Sequence, residues 1–159
     1  MPGRTPEGDA LTGLVLSVFE LNGEFLEAAK MISTPHSLTP AQWQVIGAVL
    51  EQPFTVSDIA RKIGLGLTRQ SVQRVANDVV ARGWAEWQEN PHHKKAKLLS
   101  PTARGVAAVR EMAVEQHAWA NAVGGQIGSK QLAEFHETLA QIVAASRAYR
   151  AADGGGLAG

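Results

Sequence analysis

The chain has no cysteine. That absence excludes disulfides, thiolate nucleophiles, thiol-based peroxide sensing and cysteine-ligated zinc. It also lacks long apolar runs. No stretch approaches the ~20 residues that a membrane-spanning helix needs. Met1 to Asp9 carries prolines and charges where a secretory leader would carry an apolar segment. A cytoplasmic protein without membrane contact is therefore expected. Catalytic signatures are missing too. His36, His117 and His136 have no nucleophile–base pair beside them in sequence, and no phosphate-binding glycine loop or metal quartet is present. The paired His92 and His93 have no third ligand nearby, so no metal is expected there. Neither catalysis nor a cofactor is anticipated. No internal repeat is found.

What remains is 159 residues, 45% of them hydrophobic, enough for one domain with a real core. Net charge is zero, but it is unevenly spread. Between Thr55 and Gly105 nine cations face four anions, a balance of +5, so the rest of the chain carries −5. A basic middle between acidic flanks suggests a polyanionic partner for the middle.

Residues 1–9 and 151–159 are small, polar or glycine-rich and are expected to be disordered. From Leu11 to Met31 apolar residues recur at helical spacing (Leu11, Leu14, Val15, Val18, Phe19, Phe25, Leu26) in a stripe broad enough to meet another chain. Thr39-Pro40-Ala41-Gln42 predicts a capped helix start, with Leu38 and Trp43 at the hydrophobic-staple positions and Pro53 as the stop. Trp43, Ile46, Val49 and Leu50 are its expected buried face. Thr55 caps the next helix, Gly64 to Leu67 forms a turn, and Thr68 caps a second helix whose buried stripe is Val72, Val75, Ala76 and Val79. The opposite face presents Arg69, Gln70, Gln73, Arg74 and Asn77. Arginine can pair bidentately with guanine, and Gln or Asn with adenine. Gly83 closes that helix. Trp84–Glu89 and Ala96–Ser100 read as two strands around the basic loop Asn90-Pro91-His92-His93-Lys94-Lys95. A helix capped by Thr102 follows and is broken by Gly124, Gly125 and Gly128. Ser129 caps the last helix, which is expected to bury Leu132, Phe135, Leu139, Ile142 and Val143. The fold class is mainly α with a small β wing, a winged helix-turn-helix.

This order, with Val72-Gln73-Arg74-Val75, Arg82-Gly83-Trp84 and a basic hairpin ending in Ala96-Lys97-Leu98-Leu99 before Thr102 and Gly105, resembles the MarR family of transcriptional regulators from about Leu11 to Tyr149. The resemblance implies one domain over residues 10–150. Residues 10–33 and 102–150 would be dimerisation helices flanking a DNA-binding module at 38–101. It implies a homodimer on a pseudo-palindromic operator in double-stranded DNA, and often a repressor released by a small aromatic effector. By position, Arg69, Gln70, Ser71, Gln73 and Arg74 match the major-groove residues, and His93, Lys94 and Lys95 match the wing tip. Thr68, His92 and Lys97 complete the expected interface. Where the family often reads Asp-Arg-Arg, this chain has His93-Lys94-Lys95, which lacks both an Asp–Arg pair and the planar fork of arginine. His36, Trp43 and Trp119 are the candidate effector-pocket residues. The alternative reading is a winged-helix module that binds only protein.

Overall fold

The computed structural model describes residues 3–63 and 67–154, so all but Leu67 of the turn expected at Gly64 to Leu67 lies outside the described residues. Six helices and two strands follow in the order α1 (Pro6–Ser33), a 3₁₀ turn (Thr34–His36), α2 (Pro40–Ala48), α3 (Val56–Ile63), α4 (Arg69–Ala81), β1 (Ala85–Gln88), β2 (Leu98–Pro101), α5 (Ala103–Ile127) and α6 (Ser129–Gly154). The chain is mostly helical with one small antiparallel sheet, in which Trp87 pairs with Leu99 and Gln88 with Leu98. Phe54 adds an isolated antiparallel bridge to Leu99. Two compact units divide the chain, Met1–Gln116 and His117–Gly159.

Helix α1 starts at Pro6, inside the segment expected to be disordered. The Thr5 hydroxyl accepts the Gly8 N–H at 3.1 Å, Pro6 occupies a first-turn position, and Glu7 and Asp9 meet the positive helix end. Local capping starts the helix before any apolar period appears. At the other end α6 runs to Gly154, so residues 151–154 are helical as well.

Helix α2 carries the predicted capping box. Thr39 Oγ1 accepts from Gln42 N, and Gln42 Oε1 accepts from Thr39 N. The helix stops at Ala48, well before Pro53, and Leu50 is left 36% exposed while Val45 and Ala48 are buried instead. Between α1 and α2 the chain reverses at Ser37, the one non-glycine residue with positive φ among those described (60°).

Helix α4 ends in a Schellman motif. Gly83 takes φ of 77°, its N–H donates to Val80, and the Trp84 N–H donates to Val79 at 2.9 Å. Trp84 is thereby turned into the core. The core of the first unit is Val45, Ile46, Val49, Ile59, Val72, Val79, Leu99 and Met112, all fully buried. Helices α2, α3 and α4 thus pack around one centre, and β2 closes it through Leu99.

Helix α5 continues through Gly124 and Gly125; the break falls only at Gly128, whose φ is 98°. Glycine weakens a helix without ending it, whereas a positive φ does end it. The Gly128 carbonyl accepts from Leu132, so Gly128 holds the cap position expected of Ser129. The expected burial within α6 is not found. Leu132 and Phe135 are each 41% exposed, Val143 46%, and no described side chain of α6 is buried. The stripe of α1 is likewise open, with Phe19 68% exposed. A periodicity of apolar residues marks a face that needs cover, not what covers it.

Candidate nucleic-acid interface

Thr68 sets the start of α4. Its hydroxyl accepts the Ser71 N–H at 3.1 Å and donates to Ser71 Oγ at 3.0 Å, so both side chains serve the helix end. That end carries positive helix-dipole charge and unpaired N–H groups, which favour an anion such as phosphate. Along the exposed side of α4 lie Arg69, Gln70, Gln73, Arg74 and Asn77, which line a shallow groove of about 660 Å³. Gln73 Nε2 donates to Asn77 Oδ1 at 3.2 Å, which aligns the two amides one turn apart.

The wing loop is organised by its own side chains. Asn90 Oδ1 accepts the His92 N–H at 3.0 Å, an Asx turn. His93 Nδ1 accepts the Ala96 N–H at 3.2 Å. His92, Lys94, Lys95 and Lys97 are all exposed. A cleft of about 390 Å³ separates wing from helix and brings Arg69, Gln73 and Asn77 of α4 to His93, Lys95 and Lys97 of the wing. Its lining includes Thr55, Ser57 and Trp87, which sequence reasoning did not assign to the interface. The alternation of Trp87 with exposed Glu86 and Gln88 was the available signal for the last of these.

The structure sorts the nine cations of the basic stretch into two sets. Four are engaged. Arg61 pairs with Asp58. Lys62 donates to the Ala48 carbonyl and lies 4.8 Å from the Phe54 ring centre. Arg82 donates to Ser37 O and Gln42 Oε1. Arg104 donates to Arg82 O and stacks 3.9 Å over Trp84. The other five, Arg69, Arg74, Lys94, Lys95 and Lys97, form no ion pair among the described residues. All five lie on α4 or the wing. Cations left free and gathered on one helix and one hairpin suit a polyanion that spans both.

Of the three candidate pocket residues, His36 and Trp43 lie in the first unit and Trp119 in the second. His36 stands in a cleft of about 310 Å³ lined also by Pro35, Ser37, Trp84, Arg104 and Glu111. Its ring nitrogens face Glu115 at 3.0 Å and Glu111 at 3.5 Å. Trp43 does not line that cleft; it is half-buried on α2. Trp119 belongs to the second unit and is half-buried there. Among the described residues no cluster of three or more His, Asp or Glu is arranged to hold a metal, and no helix is long and apolar enough to cross a membrane.

An exposed helix beside a basic hairpin defines a winged helix-turn-helix of the DNA-reading class. Comparison with known proteins narrows the class. A family model described as the MarR family matches residues 36–96. An uncharacterized protein of Mycobacterium tuberculosis is 34% identical over 145 residues, covering 89% of this chain and 98% of its own. A solved MarR family transcription regulator superposes with a TM-score of 0.76 at 21% identity, over 96% of this chain and 97% of that one. A MarR variant from E. coli, solved with operator DNA, gives 0.74 at 17% identity, over 84% of this chain and 96% of its own. The chain belongs to the MarR family of transcriptional regulators.

Proposed function

We propose that this protein is a cytoplasmic homodimer that reads a pseudo-palindromic operator and represses the genes beside it until a small molecule releases it. The observation that carries the DNA-reading part is the sorting of cations. The stretch spends four on internal contacts and leaves five free on α4 and the wing. Arg69, Gln70, Gln73 and Arg74 supply base contacts in the major groove, while Lys94 and Lys95 approach phosphates or the adjoining minor groove. Thr68, Ser71, His92, His93 and Lys97 shape the helix end and the wing. Occupancy of DNA by the E. coli relative agrees with this reading.

Dimerisation is supported by the open apolar faces of α1 and α6, which a second copy would cover. Release by a small aromatic molecule is supported by the cleft at His36, which combines the Trp84 ring with Arg104 and Glu111. The deciding experiment is selection of genomic fragments by the purified protein, followed by footprinting of the enriched sequence. The expected product is an inverted repeat whose half-sites are one helical turn apart or a multiple of it. No enrichment over input DNA at low salt, together with capture of an acidic protein, would instead favour a protein-binding module.

A further inference from the structure

Gln42 and Ser33 are the two buried polar side chains of the described core, and a buried amide needs partners for its oxygen and its N–H groups. Gln42 finds them on two helices. Its Oε1 accepts from Thr39 N at 2.8 Å, inside its own capping box, and from Arg82 Nη1 at 3.2 Å. Its Nε2 donates to Asp78 Oδ2. Asp78 and Arg82 lie one turn apart at the C-terminal end of α4, so they grip the same amide from two sides. Arg82 Nη2 also donates to the carbonyl of Ser37 at 2.7 Å, the residue held at positive φ. An acid near a helix C-terminus is disfavoured by the helix dipole. The demand of the Gln42 amide for an acceptor accounts for Asp78 standing there.

We infer that Gln42 is a positioning residue for base reading, and that its contacts with Asp78 and Arg82 set the angle at which α4 meets the groove. This rests on the DNA-reading function proposed above. Arg69 lies nine residues from Asp78, about 13 Å along the axis at 1.5 Å per residue. A tilt of about 5° at the latch would displace that end by about 1 Å, beyond what a bidentate hydrogen bond tolerates. Phosphate contacts by flexible lysines tolerate such a shift. The latch therefore governs discrimination between sequences more than total affinity.

The test measures, by fluorescence anisotropy at one salt concentration, the ratio of affinities for the selected operator and for an unrelated duplex. Gln42→Glu keeps both acceptor bonds and sets a carboxylate against Asp78. Its ratio is expected to fall about tenfold, as loss of a charge-assisted bond implies. Gln44→Glu adds the same charge to the same helix outside the latch and should change the ratio by less than about twofold. Adding Asp78→Asn to Gln42→Glu reverses the polarity of the bond and should restore the ratio to within about threefold of the parent. Should Gln42→Glu fail to fold, Asp78→Ala carries the test. It leaves the buried Gln42 Nε2 without its acceptor but places the best helix former in α4, so the chain should still fold, with a somewhat lower thermal midpoint, while the ratio falls. An unchanged ratio in folded Gln42→Glu or Asp78→Ala, or no recovery in the double variant, overturns the inference and leaves DNA reading intact. A parent protein that distinguishes no duplex overturns the function itself, and the inference with it.

Discussion

A Cβ on Gly105 would lie 2.0 Å from the carbonyl oxygen of Trp84. That oxygen accepts the Thr102 N–H at 3.1 Å, and Gly105 N donates back to Thr102 Oγ1 at 3.2 Å. The entry to β1 and the first turn of α5 are therefore in backbone contact, and only glycine permits it. Gly105→Ala has two opposed effects. Helix propensity alone would favour alanine by about 1 kcal/mol. The clash is with backbone, which cannot rotate away, and overpacking of this kind costs about 1–3 kcal/mol or more. Net destabilisation is expected, read as a lower urea midpoint with unchanged slope. A raised midpoint would mean that α5 shifts freely against Trp84.

Arg74 and Lys94 are both exposed and unpaired, but they should fail differently. Arg74→Ala removes the proposed base-reading fork and should cost ~1–3 kcal/mol of operator affinity with little change on unrelated DNA. Lys94→Ala or Lys95→Ala should weaken binding to every duplex and lower the salt slope by about one per subunit. Gel-shift titrations across a salt series separate the two. An operator affinity untouched by Arg74→Ala would remove it from the reading face.

Asp58 gives a pH dependence with a definite sign. The Thr55 hydroxyl donates to its carboxylate at 2.7 Å, and this contact does most to hold its pKa below the usual carboxylate value; Arg61 adds to it and desolvation opposes it. A depressed folded-state pKa contributes stability that is complete above the unfolded-state value, about 4. That contribution is lost as pH falls through the lower folded value. Asp58→Asn should therefore unfold at lower urea than the parent at pH 7, with the gap closing as the solution is acidified below pH 4. A gap that persists in acid would assign the effect to the neutral hydrogen bond instead of the charge.

How much of this was legible in the chain depends on how far apart the partners are. The caps at Thr39, Thr55, Thr68 and Thr102 join residues three apart, and all four are present in the structure. Gly83 was legible because a helix end needs a positive φ there. The start of α1 at Pro6 was missed because Thr5 caps it before the apolar period begins. Nine cations look alike in sequence. Only the fold shows that Arg82 and Arg104 serve Ser37, Gln42 and Trp84 while Arg69 and Arg74 are left free. The Gln42 latch joins residues 36 and 40 positions apart, which no local pattern encodes. The exposure of Leu132 and Phe135 was not legible either, since an apolar stripe reads the same whether its own chain or another covers it.

That last ambiguity yields the remaining prediction. Phe19 is 68% exposed on α1, so within one chain it contributes little to folding. In the proposed two-fold dimer each interface residue appears twice. Burying one phenylalanine stabilises by ~1.5–3 kcal/mol, so the pair contributes about 3 kcal/mol or more. Phe19→Glu removes that contribution and sets two carboxylates in an apolar seam. The dimer dissociation constant should rise at least about a hundredfold. Sedimentation velocity at micromolar protein should then show monomer, with helical circular dichroism retained because the single chain hardly buries Phe19. Operator affinity should fall by ~10²-fold or more, since each half-site must then be bound separately. A variant that stays dimeric and keeps its operator affinity would exclude this face of α1 from the interface.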